Sequence, residues 1–229
     1  MTMATLSIDR RFCGPPGSGN GGYTAGRLAA LIGDPAEITL RRPPPLETEM
    51  RVERAGSRLL LMHGDDLIAE AQKTVVELAI PECPSLHEAR SASTGYPGLD
   101  RHPFPGCFVC GPQRAADGMA VFPGPLTDGR AWAAVWSAAE TADAGPADVL
   151  AWAAMDCPGG WPISATDPAA TYVLGRMAGQ RIRPLGAAPV ISLAWFSSAY
   201  RKATAGSALF TADGELCAYS KQTWIRLKT

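Results

Sequence analysis

LMHGDDLIAEAQKTVVEL at residues 61–78 has the pattern of a β-hairpin, and LFTADGELCAYSKQTWIRL at residues 209–227 repeats that pattern. Each stretch contains an apolar run, an acidic turn with a glycine, and a longer second run, as expected for two antiparallel strands joined by a tight turn. With one residue inserted at the turn, Ala69 aligns with Ala218. The match predicts that one construction occurs twice in the chain.

An apolar helical stretch precedes each set of strands. The first is GYTAGRLAALI at residues 22–32, and the second is PADVLAWAAMDC at residues 146–157. In the first stretch, Leu28, Leu31 and Ile32 share one face, and small residues beside them let a sheet approach closely. The common order of elements predicts an α+β fold in which each half is a helix followed by an antiparallel sheet.

The composition changes between the two halves. We predict an N-terminal unit of residues 1–80, a connector of residues 81–112 and a C-terminal unit of residues 113–229. The connector is rich in proline, glycine and serine, so we expect it to cross between the halves without adding a core element. Residues 158–170 (PGGWPISATDPAA) follow the second helical stretch, and we expect them to be an insertion.

Charge and hydropathy restrict the partners. The net charge is −1 and the pI is near 6.3, which argues against nucleic acid or an anionic membrane as the main partner. The sequence contains no run of about 18 apolar residues, which is the length that a membrane-spanning helix needs. We therefore expect a cytoplasmic protein. The six cysteines are too few for a disulfide scaffold in a chain of this length, so we expect free thiols.

Four stretches resemble the double-hotdog acyl-CoA thioesterase-like family: FCGPPGSGNGGYTAGRLAAL at 12–31, HPFPGCFVCGP at 102–112, AAMDCPGGW at 153–161, and AYRKATAGSALFTADGELCAYSKQTW at 199–224. The resemblance implies two tandem hotdog units in one chain, each an antiparallel sheet wrapped around a central helix. It also implies an acyl thioester as substrate. Coenzyme A would then be part of the substrate, and no separate cofactor is expected.

Asp156 is the first candidate catalytic residue. It lies in an otherwise apolar helical stretch, where a carboxylate is costly to bury unless it is hydrogen-bonded or used in a reaction. One interpretation is a residue at the end of the helix that holds the turn at residues 158–160. The other is a general base that activates water for attack on a thioester. The resemblance implies the second, because an acid on the central helix has this role in single-hotdog thioesterases.

Asn20, Gly21 and Gly22 open the first helix. Free backbone N–H groups at such a position can polarise a carbonyl oxygen, and the Asn20 amide would add a donor. The alternative is a simple N-cap and tight turn. The first helix lacks an acid and the second lacks an Asn-Gly-Gly entrance. We therefore expect one composite site, built from these three residues and Asp156, and a degenerate reciprocal site.

Other residues are candidates for binding the substrate. Arg201 and Lys202 could meet the phosphates of coenzyme A, although cations on a turn are often only solvated. Four residues beside the helices are predicted either to line an acyl pocket or to pack in the core: Tyr23, Trp152, Met155 and Trp161.

The pair Cys107 and Cys110 forms a CxxC motif. It is half of a zinc site, with His102, Cys83 or Cys157 as further ligand candidates. No second CxxC follows at zinc-finger spacing, so the sequence favours packing over metal binding, and we expect no metal. A redox dithiol is not favoured either, because the pair does not begin a helix in a βαβ unit.

Two functions remain at this point. One is hydrolysis of an acyl-CoA-type thioester, and the alternative is non-catalytic binding of acyl-CoA or an acyl chain. A hydratase or dehydratase would pair the acid with a nearby histidine, but His63, His87 and His102 are all distant from Asp156 in sequence. The acyl chain, the thiol carrier and assembly into a homo-oligomer are left open.

Overall fold

A computed structural model describes residues 2–114, 116–137, 141–186, 188–198 and 202–228. Within this part of the chain there are three α-helices: α1 (Gly21–Ile32), α2 (Leu86–Thr94) and α3 (Ala147–Thr166). None of these helices is long and apolar enough to cross a membrane.

All the described strands join one antiparallel sheet of eleven strands. They are β1 (Thr2–Leu6), β2 (Ala36–Leu40), β3 (Met50–Ala55), β4 (Arg58–His63), β5 (Asp66–Lys73), β6 (Gly124–Pro125), β7 (Trp132–Ser137), β8 (Tyr172–Arg181), β9 (Pro189–Ser198), β10 (Lys202–Thr211) and β11 (Leu216–Arg226). The predicted α+β class and antiparallel sheet are confirmed.

The strand order has an internal symmetry. Across the sheet it is β1-β3-β4-β5-β2-β8-β11-β10-β9-β7-β6. The order β1-β3-β4-β5-β2 of the first half therefore returns in reverse as β8-β11-β10-β9-β7. Strands β2 and β8 pair at the centre, from Ala36 opposite Gly179 to Thr39 opposite Arg176. One continuous sheet thus joins the two halves edge to edge.

The two hairpins also share their register. Leu61 pairs with Ala69 in the first hairpin, and Leu209 pairs with Ala218 in the second. In both ladders the register shifts immediately after that pair. Ala69 and Ala218, aligned from the sequence, therefore occupy the same place in their hairpins.

Helices α1 and α3 pack against each other over the sheet, and glycine makes their close approach feasible. A Cβ atom at Gly22 would lie 2.4 Å from Asp156 Cβ, and one at Gly26 would lie 2.7 Å from the carbonyl oxygen of Val149. Real Cβ atoms do not approach so closely, so side chains at these two positions would push the helices apart. This contact brings the start of α1 to the middle of α3.

Helix α3 is longer than the sequence predicts. The prediction that residues 158–170 follow the second helix is wrong for residues 158–166, because α3 continues to Thr166 through Pro158 and Pro162. Pro158 cannot donate to the carbonyl of Ala154. That carbonyl instead accepts from Ser192 Oγ at 3.4 Å. Asp156 therefore lies in the interior of a helix and not near its end.

The connector does contribute a core element, contrary to the prediction. Helix α2 begins with a capping box in which the Ser85 hydroxyl accepts from the Glu88 N–H and the Glu88 carboxylate accepts from the Ser85 N–H. Its buried residues Ala89 and Ala92 pack in a cluster with Ala133. Ala134, the next residue of β7, belongs to the other cluster, with α1 and α3. Because neighbouring strand residues face opposite ways, α2 covers the opposite face of the sheet.

Candidate active site

A cavity of about 430 Å³ lies where the start of α1, the middle of α3 and the connector meet the ends of β8 and β11. Four of the predicted site residues line it: Asn20, Gly21, Asp156 and Trp161. A largely apolar cavity with a few polar groups is the usual form of a small-molecule site.

Asp156 is buried, and its two oxygens differ in their surroundings. Oδ2 accepts a hydrogen bond from the Gly22 backbone N–H at 2.7 Å. Oδ1 is buried and has no hydrogen-bond partner among the described residues. Burial raises the pKa of Asp156 to about 7, although the Gly22 N–H and the Asn20 side chain act in the opposite direction. Oδ1 therefore keeps its capacity to accept a hydrogen bond.

Asn20 is the N-cap of α1. Its Oδ1 accepts from the Tyr23 N–H at 2.8 Å, as the capping interpretation predicts. Its Nδ2 faces two sulfurs, Cys157 Sγ at 3.6 Å and Cys107 Sγ at 3.9 Å. Because the amide group is planar, the capping bond determines where Nδ2 points. The Asn20 donor is therefore directed at cysteine.

The backbone N–H groups of the two glycines at the start of α1 differ in whether they have a hydrogen-bond acceptor. The N–H of Gly22 is used by Asp156. The N–H of Gly21 has no acceptor within the described part of the chain, and Gly21 lines the cavity. A helix N-terminus carries partial positive charge on such unpaired N–H groups. Of the three donors expected here, the Gly21 N–H is the one left for a ligand.

Only one of the four predicted pocket residues lines the cavity. Trp161 does so, next to the ring of His102. Tyr23 stacks on Phe12 with ring centroids 3.9 Å apart. Trp152 and Met155 are also buried in the core, and the Trp152 ring packs against Gly179 of β8. For these three residues the structure agrees with the core interpretation.

The cations at the cavity are not those expected from the sequence. Lys202 is exposed and does not line the cavity, and Arg201 lies outside the described residues. Arg41 and Arg42, which follow β2, line the cavity instead. Arg42 is 59% exposed and pairs with Asp66 at 3.0 Å. Nothing in the local sequence distinguishes these two arginines from other surface arginines.

A group of three cysteines lies on the cavity wall. The Sγ atoms of Cys107, Cys110 and Cys157 all lie within 4.8 Å of one another. Hydrogen bonds from the Cys110 and Cys157 thiols hold the pKa of Cys107 well below its usual range. Sequence reasoning named Cys157 as a ligand candidate but could not place it, because it lies on α3 and the CxxC motif lies in the connector.

His102 also borders this cavity, so distance in sequence did not separate it from Asp156. Both of its ring nitrogens are engaged. Nδ1 accepts from the Phe104 N–H at 2.8 Å, and Nε2 lies 3.3 Å from Cys110 Sγ. Burial lowers the pKa of His102. An acid and a histidine therefore share the site, but the histidine is directed at a sulfur.

Several solved structures are similar to the whole chain. A TesB protein of Mycobacterium avium subsp. paratuberculosis aligns over 98% of this chain and 92% of its own, with 12% identity and a TM-score of 0.62. A putative thioesterase II of Thermobifida fusca aligns over 98% and 92%, with 14% identity and a TM-score of 0.61. A protein of unknown function with a hot dog fold from Alicyclobacillus acidocaldarius aligns over 98% and 93%, with 9% identity and a TM-score of 0.57.

The chain has the hotdog fold. No protein-family model matches its sequence, and the search of curated proteins found no match. At sequence identities of 9–14%, the similarity to these structures is a similarity of backbone fold and not of sequence. The chemistry of the site must therefore be argued from its own residues.

Proposed function

We propose that this hotdog protein hydrolyses acyl thioesters in the cavity between α1 and α3. The observation that carries the proposal is the pairing of two unused groups. Asp156 offers a buried oxygen without a partner, and Gly21, which lines the same cavity, offers a backbone N–H without a partner among the described residues. A general base and an oxyanion donor are the two groups that thioester hydrolysis needs.

In the proposed reaction, the Gly21 N–H holds the thioester carbonyl oxygen. Asp156 Oδ1 takes a proton from a water molecule, whose oxygen attacks the carbonyl carbon. The tetrahedral intermediate then expels the thiolate, which takes the proton back from Asp156. The products are a carboxylic acid and a free thiol. The bond from Gly22 to Oδ2 would keep the carboxylate oriented throughout.

We further propose that the chain is two tandem hotdog units with one composite site. The mirrored strand order and the matching hairpin registers support internal duplication. Asn20, Gly21 and Gly22 come from the first unit and Asp156 from the second. The reciprocal pairing lacks the same groups, because α1 contains no acid and α3 begins after Pro146, which has no capping side chain.

The thiol carrier is proposed to be coenzyme A. The name of one similar structure, the acyl-CoA thioesterase II TesB2 of Mycobacterium marinum, is consistent with this carrier. Arg41 and Arg42 line the cavity with partly exposed guanidinium groups. Arginine is well suited to contacting phosphate, so we assign the phosphate contacts to this pair.

The experiment is a screen of acyl-CoA thioesters of different chain length, with detection of free thiol. Turnover that depends on Asp156 would support the proposal. Binding without turnover, measured by calorimetry with the same thioesters, would replace it with the non-catalytic alternative. Addition of water across an enoyl-CoA double bond, followed by its ultraviolet absorbance, would instead indicate a hydratase.

A further inference from the structure

Three cysteine sulfurs on the cavity wall are spaced as ligands of one metal ion. Cys107 Sγ and Cys157 Sγ are 3.6 Å apart, and Cys110 Sγ completes a triangle with no side above 4.8 Å. Thiolates bound to one tetrahedral Zn²⁺ at about 2.3 Å are about 3.8 Å apart. We propose that Cys107, Cys110 and Cys157 bind one Zn²⁺ ion, with the fourth coordination position open to the cavity.

The loop that carries the CxxC motif makes a tight turn that requires glycine. The Gly111 N–H donates to the Cys107 carbonyl at 2.9 Å, and a Cβ atom at Gly111 would lie 2.5 Å from the Cys107 backbone. Only glycine fits this turn. The turn therefore fixes the backbone between the two cysteines of the motif.

The loop is also held in place on both sides. The Phe108 N–H donates to the Cys13 carbonyl at 2.8 Å, and the Val121 N–H donates to the Val109 carbonyl at 2.9 Å. Cys157 comes from the rigid helix α3. The three sulfurs therefore stand on fixed backbone before any ion arrives, which lowers the cost of binding.

Two further side chains supply hydrogen bonds to the sulfurs. His102 Nδ1 accepts from the Phe104 N–H, so the ring proton belongs on Nε2, which faces Cys110 Sγ at 3.3 Å. Asn20 Nδ2 faces Cys157 Sγ at 3.6 Å. Such outer donors orient metal ligands and offset the negative charge of three thiolates around one divalent ion. We assign His102 as a donor and not as a ligand.

The spacing and the donor types favour zinc over other occupants. In a 4Fe–4S cluster each cysteine binds a different iron, so the cysteine sulfurs lie farther apart than those that share one ion. Soft thiolate donors in tetrahedral spacing are typical of zinc. The cavity gives the ion a route of entry, because all three cysteines line it. This proposal departs from the expectation of no metal, and it stands whether or not a thioester is cleaved.

The test measures metal in the full chain, purified without oxygen and with a non-chelating reductant. We expect about one zinc per chain by plasma mass spectrometry. Cobalt added after zinc removal should give thiolate charge-transfer bands and the visible bands of a tetrahedral site. Cys107→Ser, Cys110→Ser and Cys157→Ser should each lose the zinc. Cys83→Ser and Cys217→Ser, which change cysteines outside the group, should keep it.

The cobalt spectrum of the wild type does not depend on any variant folding. His102→Ala should keep one zinc per chain with affinity weakened about 10- to 100-fold. A wild type that is fully reduced, holds no zinc and gives no thiolate–cobalt bands would overturn the proposal. So would zinc retained in Cys157→Ser, or a Cys107–Cys157 disulfide that persists under reductant. Complete loss of zinc in His102→Ala would overturn its assignment as a donor.

Discussion

The Asp156 carboxylate accepts a hydrogen bond from the Gly22 N–H across the contact between α3 and α1. These residues come from opposite halves of the chain, and the bond uses one oxygen of the carboxylate and one N–H of the helix start. The other oxygen and the preceding N–H are left without partners among the described residues. This contact therefore uses one oxygen and one N–H to hold the carboxylate in place, and it leaves the other oxygen and N–H for the proposed reaction.

Asp156→Asn should abolish most of the turnover. The amide keeps the shape and can still accept from Gly22, but it cannot take a proton from water, and a positioned general base contributes about 100- to 10,000-fold in rate. Steady-state hydrolysis of the best acyl-CoA gives the comparison. Binding of a non-hydrolysable thioether analogue should be retained.

The matched control for this prediction is Asp148→Asn. Asp148 lies on the same helix but is 56% exposed and paired with Arg181. It should hydrolyse thioesters at nearly the wild-type rate. Equal rates for Asp156→Asn and the wild type would leave Asp156 as a structural residue only.

Gly22→Ala should damage both packing and catalysis. The added methyl group would lie 2.4 Å from Asp156 Cβ, so α1 must move or the carboxylate must shift. Overpacking of this kind costs about 1–3 kcal/mol of unfolding free energy, measurable by urea denaturation.

Gly26→Ala is the control for Gly22→Ala, because its methyl group would press on α3 at Val149, away from the carboxylate. Both variants should be destabilised to a similar degree. Gly22→Ala should lose far more of its kcat. If the kcat values of both variants fall equally, kcat does not depend on the position that Gly22 gives to Asp156.

Arg42→Ala should raise KM for acyl-CoA about 2- to 10-fold with little change in kcat, because one phosphate contact is lost. Acyl-pantetheine thioesters lack those phosphates, and their KM should not change. Arg51→Ala is the control, since Arg51 is a similarly exposed arginine paired with Glu53 and does not line the cavity. A rise in KM for both kinds of thioester would mean that Arg42 does not bind the phosphates of coenzyme A.

Gln222→Leu should destabilise the fold by about 3 kcal/mol. Gln222 is buried, donates to the Met155 carbonyl at 2.6 Å and accepts from Trp224 Nε1 at 2.9 Å. Leucine would leave the buried Trp224 N–H unpaired and would remove the bonds from Gln222 to Met155, Ser207 and Ser220; a buried unpaired group alone costs about 1–3 kcal/mol. Urea denaturation gives the value.

Gln72→Leu serves as the control for Gln222→Leu. Gln72 is only half-buried and donates to Glu37 near the surface, so its replacement should cost under about 1 kcal/mol. A similar small cost for Gln222→Leu would mean that α3 does not rely on this strand side chain.

The repeated hairpins could be predicted because strand pairing depends on a local pattern with a period of two. The first helix could be predicted for a similar reason, since its glycines, its cap and its apolar face are adjacent in sequence. The continuation of α3 through Pro158 could not. The carbonyl of Ala154, which Pro158 leaves without its helix donor, accepts from Ser192 on a distant strand.

The residues of the cavity wall also differ in whether they could be predicted from the sequence. Asp156 and the glycines of α1 stood out because their residue types are unusual where they occur. Arg41, Arg42 and His102 have no local signature, and only the folding of the chain brings them to the cavity. Cys157 is likewise brought to the CxxC motif by the packing of α3 against the connector.

The glycine face of α1 has a consequence for synthesis on the ribosome. Gly22 and Gly26 are covered by α3, which is translated only after all of the first half and the connector. Because domains begin to fold as they emerge, the first half must wait with this face uncovered. The edge of β2 stays open still longer, because its partner β8 follows α3 in the chain. The nascent chain is therefore most exposed to aggregation and to binding by chaperones until both α3 and β8 have left the exit tunnel.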